Sequence, residues 1–225
     1  SLRLDCDVLL VSGEHQLRQL QSLTFNWPVS LAVPTVISTG FWFPQAAPCT
    51  PTQKPLLLAL IQERIPTHLG AHEHLLRQLN SWARQRPNWT VMVQRDHSWS
   101  ATTTLMASDV PLANNLLEAA PGQLLPLLGS CTACLTVSSP WSLAAMAWGR
   151  IPIILGDYGI HDEQKTTGFF GCGAMHRLRS IPHLDAVREL PMANQAWLDG
   201  NGADITDGPQ QLARALSDLA LREEP

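Results

Sequence analysis

Apolar positions along the chain come in two spacings. Short continuous runs of strand length, at residues 56–61, 90–94, 135–137 and 151–155, alternate with stretches whose apolar residues recur at helical spacing. Residues 70–86 are the clearest of the latter: Leu75, Leu76, Leu79, Trp82 and Ala83 fall on one stripe, and Pro87 stops the pattern. Uninterrupted apolar strands separated by amphipathic helices describe a sheet covered on both faces, which is the signature of parallel pairing. The expected fold class is therefore α/β, a Rossmann-like parallel sheet flanked by helices.

The first fifty residues are patterned differently. A strand is expected over residues 6–11, ending in Ser12-Gly13, then a helix over 14–22 with Leu17 and Leu20 on its apolar side. Residues 24–39 are β-branched and interrupted by Pro28 and Pro34, which suits short strands. Pro44, Pro48, Pro51 and Pro55 then mark a linker. Two domains are expected: residues 1–50 as the tail of a preceding domain or an added subdomain ending in this proline-rich linker, and residues 51–225 as the Rossmann-like domain. Residues 114–120 and 123–129 read as short helices and 209–222 as a closing helix. The chain starts with Ser1 rather than Met and reaches its first strand almost at once, so a fragment with something upstream is expected.

The segment 135–157 reads as one strand, turn, helix and strand unit. Ser138-Ser139-Pro140 supplies a hydroxyl N-cap and a proline at the first helical position, residues 141–148 are helix formers, and Gly149 closes the helix as its C′ residue. In open α/β sheets ligands bind at the carboxyl ends of strands, which is where this turn lies. Two adjacent hydroxyls and a helix N-terminus make a cradle for a phosphate; the alternative is that Ser139 only caps and Ser138 only turns the chain. Other polar groups follow strand ends in the same way. Arg64 is an anion contact or a surface arginine paired with Glu63 or Glu73. Arg95 and His97 follow the strand at 90–94, with His97 a ligand contact or a solvated loop residue. Asp157 holds a ribose or sugar hydroxyl, or caps a nearby helix. Parallel strands put all of these on one rim, facing one cleft. The glycine-rich residues 158–173 suit a mobile loop over it.

Composition narrows the classes. The 225 residues are 45% hydrophobic with a net charge of -4, so the basic excess of a nucleic-acid binder is missing and nucleic acid is set aside as a partner. No apolar run approaches the roughly 20 residues of a membrane span and no signal pattern opens the chain, which predicts a cytoplasmic location with at most peripheral membrane association. Cysteines number 5 and are scattered, arguing for reduced thiols. Cys131 and Cys134 form a single Cys-x-x-Cys without a second pair and read as two buried small residues. His68, His72 and His74 cluster at a helix entrance, but Gly70 interrupts a helical metal pair, so neither a metal nor another cofactor is expected.

Residues 135–160, LTVSSPWSLAAMAWGRIPIILGDYGI, resemble the "TvSStaaLEAla-GvPvavl-DfGv" segment of an uncharacterised bacterial family described as glycosyltransferases. Residues 169–173 are similar to its "vFvGSGl", residues 196–201 to its "paWLddNy", and residues 54–94 to its strand, helix and strand. More distantly, the layout is similar to the nucleotide-binding half of GT-B glycosyltransferases of capsule and sialic-acid polymer synthesis. The resemblance implies a nucleotide-sugar donor, a glycan acceptor in surface polysaccharide synthesis, donor phosphate at Ser138 and Ser139, a basic loop at Gln94-Arg95-Asp96-His97, and a catalytic base in the opposite domain. Pro140-Trp141 replaces small residues of the pattern, and Leu143-Ala144-Ala145-Met146 lacks its glutamate. Two alternatives follow: a degenerate binding or interaction module that no longer catalyses, or a nucleotide-sugar 2-epimerase of the same architecture.

Overall fold

The computed structural model describes residues 8–24, 35–41, 43, 47–68, 70–95 and 111–222. The chain divides into two compact units, Ser1–Gln45 with Gln195–Pro225, and Ala46–Asn194. The closing segment 195–225, expected from sequence to belong with the sheet, groups with the N-terminal residues.

In the first unit strand β1 (Val8–Val11), helix α1 (Glu14–Thr24) and strand β2 (Thr35–Ser38) form a parallel pair with a helical crossover. Val11 and Ile37 are its buried strand residues. The turn between the unit's two C-terminal helices presses on the end of β1 so closely that a Cβ on Gly202 would lie 1.9 Å from the Ser12 carbonyl oxygen; only glycine fits there.

The second unit holds β3 (Leu56–Ile61), α2 (Ala71–Gln85), β4 (Thr90–Arg95), β5 (Leu116–Glu118), α3 (Leu124–Ser130), β6 (Ala133–Thr136), α4 (Trp141–Ala147), β7 (Ile151–Leu155) and β8 (Met175–His176). The sheet runs β5-β4-β3-β6-β7-β8, and every pairing is parallel. The order reverses between β3 and β6, which is the topological switch point of a doubly wound sheet. All six residues of β3 are buried, as the central strand of a sheet covered on both faces requires. Helix α2 packs Leu75, Leu79, Trp82 and Ala83 inward and leaves His74, Arg77 and Arg84 exposed. Helix α4 ends as its sequence predicts: Gly149 takes φ 68°, its N–H donates to the Met146 carbonyl at 3.0 Å, and the Arg150 N–H reaches the Ala145 carbonyl at 2.8 Å. That pair of bonds is the Schellman closure, which needs a left-handed residue at C′.

Residues 114–120, expected as a helix, contain the edge strand β5. Tertiary hydrogen bonds override the local preference there. The Asn80 side chain accepts from the Ala113 N–H at 2.8 Å, and the Asn115 amide donates to the carbonyls of Ala83, Arg86 and Trp89 at 2.9, 3.1 and 2.9 Å. These bonds fasten the chain beside β4, where pairing with Val91, Met92 and Val93 follows. Residues 158–173, expected as a mobile loop, are pinned instead. Fully buried Gln164 donates to the Thr67 hydroxyl at 2.6 Å and accepts from the Thr67 N–H at 3.2 Å. Fully buried Thr166 donates to the Gly159 carbonyl at 2.9 Å. On the opposite side of the chain order, buried Trp89 donates its indole N–H to Asp185 at 2.8 Å and lies 5.5 Å below the Arg188 guanidinium. No helix among the described residues is long and apolar enough to cross a membrane.

Four outcomes test this packing. Leu57→Ala removes a fully buried side chain and should cost about 2–5 kcal/mol in denaturant unfolding. Gly149→Ala has open space around the added methyl, so only its backbone conformation is penalised, by about 1–2 kcal/mol, with Gly149→Asn costing less. Gln164→Leu should speed amide exchange across residues 161–170 at least tenfold while leaving the sheet protected. The hydrogen bond from Trp89, followed by that from Arg86, holds the Asp185 carboxyl below its ordinary value. Its stabilising contribution is then present above the unfolded value of roughly 3.9 and is lost as pH falls through the lower folded one. The gap in melting temperature between parent and Asp185→Asn should be wide at pH 7 and close in strong acid.

Candidate functional site

The carboxyl ends of β3 and β6 meet at the switch point, and the hydroxyl-rich turn after β6 is built around Thr136. Its buried hydroxyl donates to the Leu60 carbonyl at 2.9 Å and accepts from the Ser139 N–H at 3.1 Å. The turn is thereby folded back on the end of β3. Ser138, also buried, donates to the Gln62 side-chain oxygen at 3.2 Å. The Gln62 backbone carbonyl accepts from His72 Nε2 at 2.9 Å, so that nitrogen carries a proton and the first residue past β3 is held from both sides. Ser139 offers its carbonyl to the N–H and the hydroxyl of Ser142, at 3.1 and 2.7 Å. Helix α4 has 7 residues, begins after Pro140, and carries no side-chain cap. The expectation of a Ser139 N-cap is therefore corrected: the Ser142 hydroxyl and N–H engage the Ser139 carbonyl, and Pro140 occupies the cap position.

A cleft of about 130 Å³ opens beside this turn. Leu60, Ile61 and Leu124 give it an apolar base, Gln62, Gln94 and Arg95 line it from the strand ends, and Ser139, Pro140 and Trp141 close it from the start of α4. Arg95 is paired across the sheet edge with Glu118, Nε to Oε1 at 3.1 Å, with side chains 10% and 46% exposed. An anion entering the cleft meets an arginine whose charge is already answered, but by a carboxylate that water reaches. Gln94 is 8% exposed; its amide nitrogen donates to the Arg95 carbonyl at 2.9 Å.

Ser139 and Arg95 thus line one cleft, and Ser138 stands behind it, bonded to Gln62. Arg64 is exposed, in the turn bridged by Gln62 and Ile65 at the end of β3, and is not among the cleft residues. Glu73, one of its expected partners, pairs with Arg77 at 3.2 Å. Asp157, exposed at the end of β7, accepts the Leu178 N–H at 2.8 Å. One of its oxygens is therefore engaged with the backbone 21 residues further on. His97 lies outside the described residues. Among the described residues no group of three or more His, Cys, Asp or Glu side chains could hold a metal ion. Burial pushes the Cys131 thiol up to about 12 and the Cys134 thiol well above its ordinary value, so both stay protonated and unreactive at neutral pH. Gln62, Thr136 and Glu118 carry no assigned role in the sequence reading, where Gln94 enters only as the first residue of the basic loop and Trp141 only as a departure from the family pattern. The available signal was position: Gln62 and Gln94 are polar residues at the carboxyl ends of apolar strands.

The fold has solved counterparts at low sequence identity. CalG4, the calicheamicin glycosyltransferase, is 16% identical with a TM-score of 0.55, the match covering 97% of this chain and 53% of that one. A structure of the GtfA/B complex is 13% identical with a TM-score of 0.54, covering 95% and 44%. TarM is 13% identical with a TM-score of 0.50, covering 95% and 43%. The chain spans about half the length of the solved proteins it resembles, and the fold they share with it is that of GT-B glycosyltransferases. No curated protein matches it. A family model extends over residues 1–219, nearly the whole sequence, and on that match the chain belongs to the family described as "Putative glycosyltransferase (DUF6716)".

Proposed function

We propose that the second unit binds a nucleotide-sugar donor at the switch-point cleft and serves a GT-B-type glycosyltransferase that passes the sugar to a glycan acceptor in surface polysaccharide synthesis, in the cytoplasm. The observation that carries this reading is the cleft itself, with a serine turn, two carboxamides, an arginine and a tryptophan gathered where β3 and β6 diverge. A departing nucleoside diphosphate needs its developing charge met by fixed donors in a water-poor site. Arg95 supplies that charge by exchanging Glu118 for phosphate, and the Ser139 hydroxyl, with the Ser138 hydroxyl once it exchanges Gln62 for phosphate, supplies further donors. Arg64, at the tip of the adjoining turn, and His97 are assigned as further phosphate contacts, and the second Asp157 oxygen as a contact for a sugar or ribose hydroxyl.

A second reading, a module that binds the donor without transferring sugar, is favoured by Ala144. It stands where the family pattern has glutamate and is fully buried in α4, so no carboxylate from that position reaches a ribose.

A thermal-shift screen against UDP, GDP, CDP, CMP and their sugars separates the possibilities. A ligand of this site present at about a hundred times its dissociation constant should add about 2.7 kcal/mol of stability. Replacing Ser138 and Ser139 together with alanine should weaken the binding by about 1–3 kcal/mol if their hydroxyls meet phosphate. Release of free sugar from the bound donor marks an enzyme; binding without turnover marks the module; no stabilisation by any nucleotide refutes the donor site.

A further inference from the structure

We infer that the cleft is the nucleobase subsite of the donor, that it takes a uracil-type pyrimidine, and that Gln94 selects it by accepting its ring N–H. This rests on the reading of a nucleotide donor and says which part of the donor sits where.

The cleft's chemistry is that of a flat neutral ring rather than of a phosphate. Its base is aliphatic, its mouth carries the indole of Trp141, 38% exposed, and two carboxamides line it. Arg95 brings the one charge among the lining residues, and Glu118 answers it at 3.1 Å. Apart from Arg95, which the proposed reading gives to the phosphate, the lining offers an aromatic face and amide edges, which are what a base uses for stacking and hydrogen bonding. At about 130 Å³ the cleft is well below the roughly 300–1,000 Å³ of pockets that enclose a whole drug-sized ligand, so it has room for one moiety of the donor and not for the whole nucleotide.

Gln94 adds direction. Its side-chain Oε1 is buried and has no hydrogen-bond partner among the described residues, although its Nε2 donates to the Arg95 carbonyl at 2.9 Å. That second bond fixes which end of the amide is which, since reversing it would set oxygen against oxygen. A buried acceptor without a donor is disfavoured and uncommon in folded proteins, and here it belongs to a residue lining a cleft. What the site lacks is an N–H. Gln62 supplies the complement: its Oε1 is taken by the Ser138 hydroxyl at 3.2 Å, which leaves its amide nitrogen as the donor end. An acceptor on one lining residue and a donor on another match the N–H and C=O of an imide, the edge that uracil presents and that a phosphate does not.

The test is a calorimetric titration of the whole chain with UDP, N3-methyl-UDP, CDP, GDP and inorganic pyrophosphate. UDP should bind at least tenfold more tightly than N3-methyl-UDP, CDP or GDP. Gln94→Met should lose at least tenfold for UDP, bind UDP and N3-methyl-UDP alike, and keep the parent's affinity for pyrophosphate. The N3-methyl comparison uses the parent chain alone, so a poorly folding variant does not blunt it, and Trp141→Ala, at an exposed position, should weaken UDP but not pyrophosphate. Equal binding of UDP and N3-methyl-UDP by the parent, or a preference for CDP or GDP, would overturn the inference while leaving the donor reading intact. If no nucleoside diphosphate binds, both fall together.

Discussion

One buried hydroxyl holds the switch point in shape. Where β3 and β6 part, their last backbone groups run out of neighbouring strand, and buried groups of that kind must still find partners. Thr136 answers both needs, giving its proton to the Leu60 carbonyl and taking the Ser139 N–H. The turn before α4 is thereby fixed relative to the end of β3. The same requirement propagates outward: Ser138 holds the Gln62 side chain and His72 holds the Gln62 carbonyl. The cleft beside them is a consequence of this bracing, since its walls are the residues that the bracing positions.

The cleft is notable for how little net charge it offers. The Ser138 hydroxyl and the Ser139 N–H are engaged within the protein, and the arginine lining the cleft has a carboxylate partner. Glu118 is nearly half exposed while Arg95 is almost covered, so the pair is asymmetric: the carboxylate can leave for water at small cost, but the guanidinium cannot. On the proposed reading, a donor phosphate would displace a solvated competitor and meet a cation already desolvated. With Ala144 buried where the resembled pattern has glutamate, the proposed recognition of a donor would rest on the carboxamides and the tryptophan.

Much of the fold was legible because its signals are local. The leucine run of β3 could only be a covered strand, the stripe on α2 could only face a sheet, and Gly149 announced the end of α4 by needing a left-handed backbone. β5 was read as a helix because what fixes it lies elsewhere in the chain: Asn80 on α2 and the end of that same helix receive residues 113–115. The two-residue β8 is too short for any periodicity to register. Strand polarity accounts for Ser139 and Arg95 lying at one cleft. It did not reveal that Arg95 meets Glu118, that Ser138 spends its proton on Gln62, or that a glutamine carries the unmet acceptor. Partnerships between side chains distant in sequence leave no trace in spacing, and a glutamine gives no motif to notice.

The most direct test of the donor cleft is a map of where a nucleotide touches the chain, read from amide and indole chemical shifts as UDP is added to isotopically labelled protein. The account predicts that the largest changes fall on the Trp141 indole, the side-chain amides of Gln62 and Gln94, and the backbone of Ser139. Changes centred away from the ends of β3, β4 and β6, on the loop of residues 158–173 or in the first unit, would contradict it.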